Sequence, residues 1–226
     1  MYFVSFVVRI LPLGDTAVLA YLPDEAAAQR FAAAARAADV PGRLDVVPAY
    51  ASVAVFFDPG ITSLAAVTEA LRRLDLADPK VRTEPRRHQI PCCYEMNLDL
   101  ARVAEHTGRS PEEVICLHTT PEYTVYAIGF CPGFPYLGYL PPELCGVPRL
   151  PAPRVRVAPG SVGLTGRQTG VYPLERPGGW NIIGRTPLIL ADPAAGYFPL
   201  RVGDTVQFFR IDEAGYQRRA GERLAQ

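Results

Sequence analysis

Apolar and polar positions alternate with a clear period through the first 85 residues, then lose it. Val4–Ile10 and Thr16–Leu22 read as strands around a Gly14-Asp15 turn, and Leu44–Val47 and Ser52–Phe57 as two more. Between these pairs lies Asp24–Ala38, alanine-rich, preceded by Pro23 and ended by Val40-Pro-Gly42, so a helix is expected there. After the Asp58-Pro-Gly60 turn, Ile61–Leu76 places Leu64, Val67, Leu71 and Leu74 on one helical face. Val81–Thr83 or Gln89–Ile90 is expected to add the last strand. The order β-α-β-β-α-β is the split βαβ of ferredoxin-like domains, with room for an extra strand in front.

A hinge is expected around Asp78–Arg87, which is charged and carries Pro79 and Pro85. Two helical pieces follow, Leu98–Thr107 with Asn97 as N-cap and Gly108 as stop, and Pro111–His118 behind a Ser110-Pro-Glu-Glu113 capping box. Together they imitate a DNA-binding helix-turn-helix. Glu112 and Glu113 would face the phosphates, however, which favours a helical hairpin packed on the body of the protein. Beyond about residue 120 helix signals disappear. Tyr123–Ile128, Ile182–Ile183, Leu188–Leu190 and Thr205–Ile211 read as strands, and closure of such short strands into a barrel removes exposed edges. The expected class is α+β, with an N-terminal domain over 1–84 and a β-barrel domain over 85–226.

Composition sharpens the second half. Residues 121–200 hold 14 of the 23 prolines and 12 of the 19 glycines. Aromatics are interleaved with them, so the stretch reads as ordered, pre-shaped loops rather than helix or disordered linker. Lys+Arg and Asp+Glu are equal at 23, which argues against a nucleic-acid or membrane surface. The five cysteines are 92, 93, 116, 131 and 145. Their odd number and spacing match neither a disulfide framework nor a zinc site, so a reducing, cytoplasmic setting and no metal are expected. The apolar start reads as a strand and its turn rather than a signal peptide.

Several motifs carry candidate chemistry. Gly179–Thr186 has P-loop spacing with Arg185 in the lysine position. Pro187 and the apolar run after it deny the helix a P-loop needs, and Arg185 remains either an anion clamp or a salt-bridge partner. His88, His106 and His118 show no ligand spacing, and His118 sits at a helix end. Ser161 is not in a nucleophile elbow. Cys131, between Phe130 and Pro132, has no histidine nearby in sequence to activate it. Trp180 reads equally as an interface anchor or as a barrel plug.

Four segments, Gly129-Phe-Cys-Pro-Gly-Phe-Pro-Tyr-Leu-Gly138, Pro159-Gly-Ser-Val162, Gln168-Thr-Gly-Val-Tyr-Pro173 and Pro177-Gly-Gly-Trp…Gly184-Arg-Thr-Pro187, resemble one family. It comprises the B subunits of 5-oxoprolinase, allophanate hydrolase subunit 1 and the Kip-type inhibitor of a sporulation histidine kinase. The likeness continues through His88-x-Ile-Pro91, Asp99-Leu…Val-Ala104, His118 and Gly203-Asp-x-Val206. It implies a cyclophilin-like barrel after a small α/β domain. It also implies one subunit of an ATP-dependent 5-oxoprolinase, inactive alone and working beside a homologous C-type subunit and an A-type subunit. ATP, with Mg, would be a co-substrate, and no tightly bound cofactor is implied. Kinase inhibition and a carboxyltransferase role in urea or allophanate metabolism are the alternatives. By motif position, Arg185, Gln168 and His118 are candidate catalytic residues. Phe130, Pro132, Gly133, Phe134, Tyr136, Gly160, Ser161, Thr169, Tyr172, Gly178, Gly179, Trp180 and Thr186 are candidates for binding substrate or partner.

Overall fold

The computed structural model describes residues 8–74, 76 and 85–225. Two compact units divide the chain between Glu84 and Pro85. The expected strand at 81–83, most of the expected hinge and residues 4–7 of the expected first strand lie outside the described residues.

The first unit contains the strands β1 (Arg9–Pro12), β2 (Ala17–Tyr21), β3 (Arg43–Ala49) and β4 (Ser52–Phe57). They form one antiparallel sheet in the order β1-β2-β4-β3. Helices α1 (Glu25–Ala37) and α2 (Leu64–Arg72) start where side-chain caps exist. Asp24 accepts from the Ala27 N–H, and Ser63 from the Ala66 N–H. The Ser63 cap explains why α2 begins three residues later than the apolar pattern suggests. Val18, Ala20, Val53 and Val55 alternate inward and meet Phe31, Val67 and Leu71 from the helices. Complete burial of side chains such as Val67 and Leu71 contributes about 1.5–3 kcal/mol each. The front hairpin strand β1 occupies the sheet position that a ferredoxin-like fold gives its last strand. Gln89–Ile90 is not that strand, because it belongs to the second unit.

The second unit holds β5 (Arg87–Cys93), β6 (Glu122–Ile128), β7 (Pro135–Gly138), β8 (Arg154–Val157), β9 (Ser161–Thr165), β10 (Gln168–Val171), β11 (Arg176–Gly178), β12 (Asn181–Arg185) and β13 (Thr205–Ile211). Seven of these close a barrel in the order β10-β7-β6-β13-β5-β12-β9, and β8 pairs with β11 in a separate ribbon. β5 pairs in parallel with β13, and the His88 and Asp204 motif residues lie at that seam. His88 Nε2 stands 3.2 Å from Asp204 Oδ2, and Asp204 also accepts from the Arg86 and Arg201 N–H groups. Those two motifs therefore fasten a strand pair.

Helices α3 (Leu100–Thr107) and α4 (Pro111–Thr119) form the expected hairpin. Leu100, Val103, Val114 and Ile115 join the barrel core, and the Ser110–Glu113 capping box is complete. The N-cap of α3 is Asp99 rather than Asn97. Asn97 still contributes, accepting from the Leu100 N–H through its side chain. Two further expectations fail here. Leu188–Leu190 forms only a single bridge, from Ile189 to Arg223, because Leu188 and Leu190 are drawn into the core and Pro187 interrupts the chain before them. A helix also exists past residue 120: α5 (Glu213–Arg219), started by Asp212 accepting from the Gly215 N–H. Its brevity leaves little periodicity to read.

Candidate functional site

The outer wall of the barrel carries a second apolar cluster, distinct from the core. On β7, β9, β10 and β12, alternate residues point inward: Leu137, Val162, Leu164, Val171 and Ile183. Their neighbours point out, and there Phe134, Tyr172, Trp180, Ile182, Val157 and Cys131 pack together with Tyr136. Phe134 is the hub. Its ring centroid lies 5.4 Å from Phe130, 5.0 Å from Tyr136, 5.2 Å from Tyr172 and 5.4 Å from Trp180, all edge to face. Gly170 allows this, since a Cβ there would stand 2.8 Å from the Pro135 oxygen and 3.1 Å from both Phe134 and Trp180. Trp180 thus lies on the outside of the wall and does not plug the barrel.

Polar groups rim this aromatic floor. A Cβ on Gly178 would overlap the Tyr172 phenol. Arg149 lies next to Gly179, and its charge acts on the Tyr136 and Tyr172 phenols as that of Arg176 acts on the Cys131 thiol. Burial pushes the pKa of all three groups up, and the arginines oppose it. Phe130 caps the cluster at 56% exposure with φ +66°, a left-handed backbone that a bulky residue seldom adopts. Arg149 and Arg176 are functional candidates that sequence reasoning missed. Arg149 sits outside every motif, and Arg176 falls one residue before one. Only the fold, through a Leu150 N–H bond to the Gly179 oxygen and the β8–β11 pairing, brings them to the rings.

At one end of this face the motif loops lock together. The Gly160 N–H donates to the Tyr172 oxygen, the Tyr172 N–H to Ser161, and the Thr186 N–H to Gly160, at 2.7–2.9 Å. Arg185 Nε donates to the Pro159 oxygen at 2.9 Å. A Cβ on Gly160, at φ +81°, would overlap the Thr186 oxygen. Gly160, Ser161, Thr186, Arg185 and Tyr172 are therefore neighbours. Gly133 is buried against Ala191 and Phe198, while Pro132 is exposed beside Cys131. Gly179 lies against Pro153 and Arg149.

The candidate catalytic trio is not brought together. Arg185 pairs in register with Ser161 at the start of β9, whereas Gln168 pairs with Thr165 at its end. Four residues of strand separate these positions, roughly 13 Å. His118 lies inside the barrel, fully buried. Its Nδ1 is 2.7 Å from the Tyr94 phenol and its Nε2 is 2.9 Å from Thr169 Oγ1. The single Thr169 hydroxyl proton goes to the Gly163 oxygen at 3.0 Å. Nε2 must therefore carry the imidazole proton, and Nδ1 accepts from Tyr94. Burial lowers the His118 pKa to about 3, so the ring is neutral. Thr169 shares this interior position.

Asp99 braces the site from behind. It takes a bidentate pair from Arg154 of β8, at 2.9 and 2.7 Å, and accepts from the Ile182 N–H at 2.7 Å. No group of three or more potential metal ligands occurs among the described residues, and no described helix is long and apolar enough to cross a membrane.

Known proteins share this architecture. The family model for the carboxyltransferase domain, subdomain C and D, matches residues 8–198. A curated relative, the 5-oxoprolinase B subunit of Bacillus subtilis (strain 168), is 42% identical over 190 residues, 78% of this chain and 79% of its own length. The solved structure of TTHA0988 is 38% identical with a TM-score of 0.74 over 92% of this chain, which spans 41% of that longer chain. The Kluyveromyces lactis urea amidolyase shares the fold, with a TM-score of 0.73 at 16% identity, over 96% of this chain and 16% of its own.

Proposed function

The chain belongs to the carboxyltransferase subdomain C and D family, alongside the curated 5-oxoprolinase B subunits, and we propose that it is the B subunit of an ATP-dependent 5-oxoprolinase. The observation that carries this reading is 42% identity over nearly four-fifths of a curated B subunit. The likeness to urea amidolyase, at 16% identity, is one of fold and lends the carboxyltransferase reading no chemistry.

In this reading the two units are two domains, 1–84 and 85–226, and the barrel face works in the cytoplasm when the homologous C-type subunit and the A-type subunit complete it. 5-Oxoproline, ATP and water become glutamate, ADP and phosphate. A lactam is a poor electrophile. Phosphorylation of its amide oxygen activates the carbon; water adds there, the ring C–N bond breaks with the proton going to the nitrogen to leave an acyl phosphate, and a second water releases phosphate and the carboxylate of glutamate. Phosphoryl transfer depends chiefly on positioning and charge, with ATP and its Mg2+ arriving as co-substrate. This chain's part is to present rigid loops. Arg185, fixed by Pro159 and with its guanidinium on the partly exposed edge, serves as the anion clamp. Gln168 faces a different stretch of surface and suits a partner contact. His118 and Thr169 act from inside as positioning residues.

The test is reconstitution with the A-type and C-type subunits, followed by 5-oxoproline-dependent ADP release. Full activity is expected only with all three. Arg185→Ala, with unchanged folding, is expected to lower the rate tenfold or more. Equal turnover without this chain would end the reading, and an unaffected Arg185→Ala complex would remove the clamp.

A further inference from the structure

We propose that the open face of the first unit's sheet is a self-association surface, on which a second copy of this chain packs with its strands at right angles. This pairing holds whichever reaction the barrel unit serves.

On its covered side the sheet presents Val18, Ala20, Val53 and Val55 to the helices. The alternate residues form the other side, and the strand register sets them in rows. Leu11, Leu19, Ala54 and Val47 make the middle row, with Tyr21 and Phe56 on either side of it. Tyr21 is 45% exposed and Phe56 37%, and a bulge in β3 adds Leu44 at 69%. A contiguous apolar patch of this kind marks an interaction surface.

The corners say what covers it. Arg9 and Leu13 stand on the β1 side, Ala49 and Asp45 on β3, with the Leu13 N–H donating to the Ala17 oxygen at 2.9 Å. Arg9 and Asp45 are the only charges on these positions, and they hold diagonally opposite corners. Neither forms an ion pair among the described residues. Asp45 accepts from the Val46 N–H, while the guanidiniums of Arg36 and Arg43 are held by backbone oxygens. Three strand spacings and four residues of rise are each roughly 14 Å, so the face is nearly square. A two-fold axis along its other diagonal therefore sets Arg9 of each copy opposite Asp45 of the other. The strands then cross at about 90°, the orthogonal class of sheet packing. Tyr21 of one copy falls beside Val47 of the other, and Phe56 beside Leu11. Aligned stacking, with the axis along or across the strands, would press each charge onto Ala49 or Leu13. A buried charge without a partner is costly, which disfavours those arrangements. With its side chains the face spans roughly 20 Å by 20 Å, the scale of a small, reversible interface.

Sedimentation velocity of the full chain from roughly 1 to roughly 200 μM is expected to show a reversible monomer–dimer equilibrium. Arg9→Asp and Asp45→Arg, with unchanged circular dichroism, should each weaken the dimer about tenfold or more, because each sets like charges opposite. Mixing the two single variants should restore it. The introduced carboxylate then faces the introduced guanidinium, and one native pair is kept. Leu19→Glu should leave a monomer. A native chain that is monomeric throughout, or a dimer that survives Leu19→Glu, overturns the pairing. So do single variants that associate as tightly as the native chain, or a mixture no tighter than either variant alone.

Discussion

On the inward side of β10, Thr169 closes a hydrogen-bond chain that runs from Tyr94 through His118 to the Gly163 carbonyl. On the outward side, one residue along, Gly170 lets Phe134 and Trp180 lie directly on the backbone. The inner chain has every donor matched to an acceptor, and rings of Tyr123 and Phe208 pack against the imidazole at 5.5 and 4.6 Å. The outer cluster is instead apolar, with Phe134, Tyr172, Trp180 and Ile182 buried against one another and Phe130 half exposed at its edge. One four-residue strand thus separates a sealed polar device from a packed aromatic one. Motif residues occur on both sides, so membership in a motif does not say which chemistry a residue performs. Burial and hydrogen-bond partners do.

The inner side is broken most severely at His118. His118→Ala removes a ring from a packed interior and leaves the Tyr94 hydroxyl without its acceptor and Thr169 without its donor. A loss of about 3–5 kcal/mol in urea unfolding is expected. Below the transition, Trp180 emission should stay unchanged, because none of its ring contacts is lost. A shifted emission in the still-folded variant would show that the two faces act as one.

The outer face breaks at Gly178. Gly178→Ala places a methyl group into the Tyr172 phenol. Overpacking of this kind costs about 1–3 kcal/mol. Here it should also tilt Tyr172 and shift Trp180 emission. The inner chain should keep its geometry, which proton NMR of the His118 Nε2–H can read. A shifted imidazole resonance would contradict the separation of the two faces.

Much of the first unit was legible because its sheet has one covered side. Val18, Ala20, Val53 and Val55 are buried while Leu19 and Ala54 between them are less so, and that alternation is visible in the chain. The barrel hides its pattern. Ser161–Thr165 is buried at every position, since the core lies on one side and the aromatic cluster on the other, and no alternation remains. Short strands such as β7 and β10 are also rich in glycine and proline and read as turns. The aromatic members of the site could be named from their motifs. Arg149 could not, because its position depends on one backbone bond to Gly179. The inward turn of Thr169 follows from strand phase, which the sequence leaves open until the register is known, and that of His118 from the side of α4 that packs on the barrel core.

Protonation sharpens the contrast at a smaller scale. The His118 pKa is about 3 in the folded chain and near 6.5 when unfolded. The unfolded state therefore binds more protons below 6.5. Stability is complete above that pH and falls as pH drops toward 3. Between pH 6.5 and 5 the loss should approach about 2 kcal/mol, and His118→Gln should flatten it. A wild-type chain equally stable at pH 5 and pH 7 would mean that the imidazole is reached by water.

The smallest effect belongs to the surface. Arg210 bridges Glu95 and Glu112 at 2.7 Å each, away from both faces of β10. All three side chains are at least a third exposed, so water and salt screen the pairs and side-chain ordering offsets much of the attraction. Arg210→Ala should cost no more than about 1 kcal/mol, shrinking further at roughly 0.5 M salt, with Trp180 emission and the His118 resonance unchanged. A larger loss would place Arg210 among the groups that hold the β5–β13 seam, and the separation would then run between seam and wall instead of between the two sides of one strand.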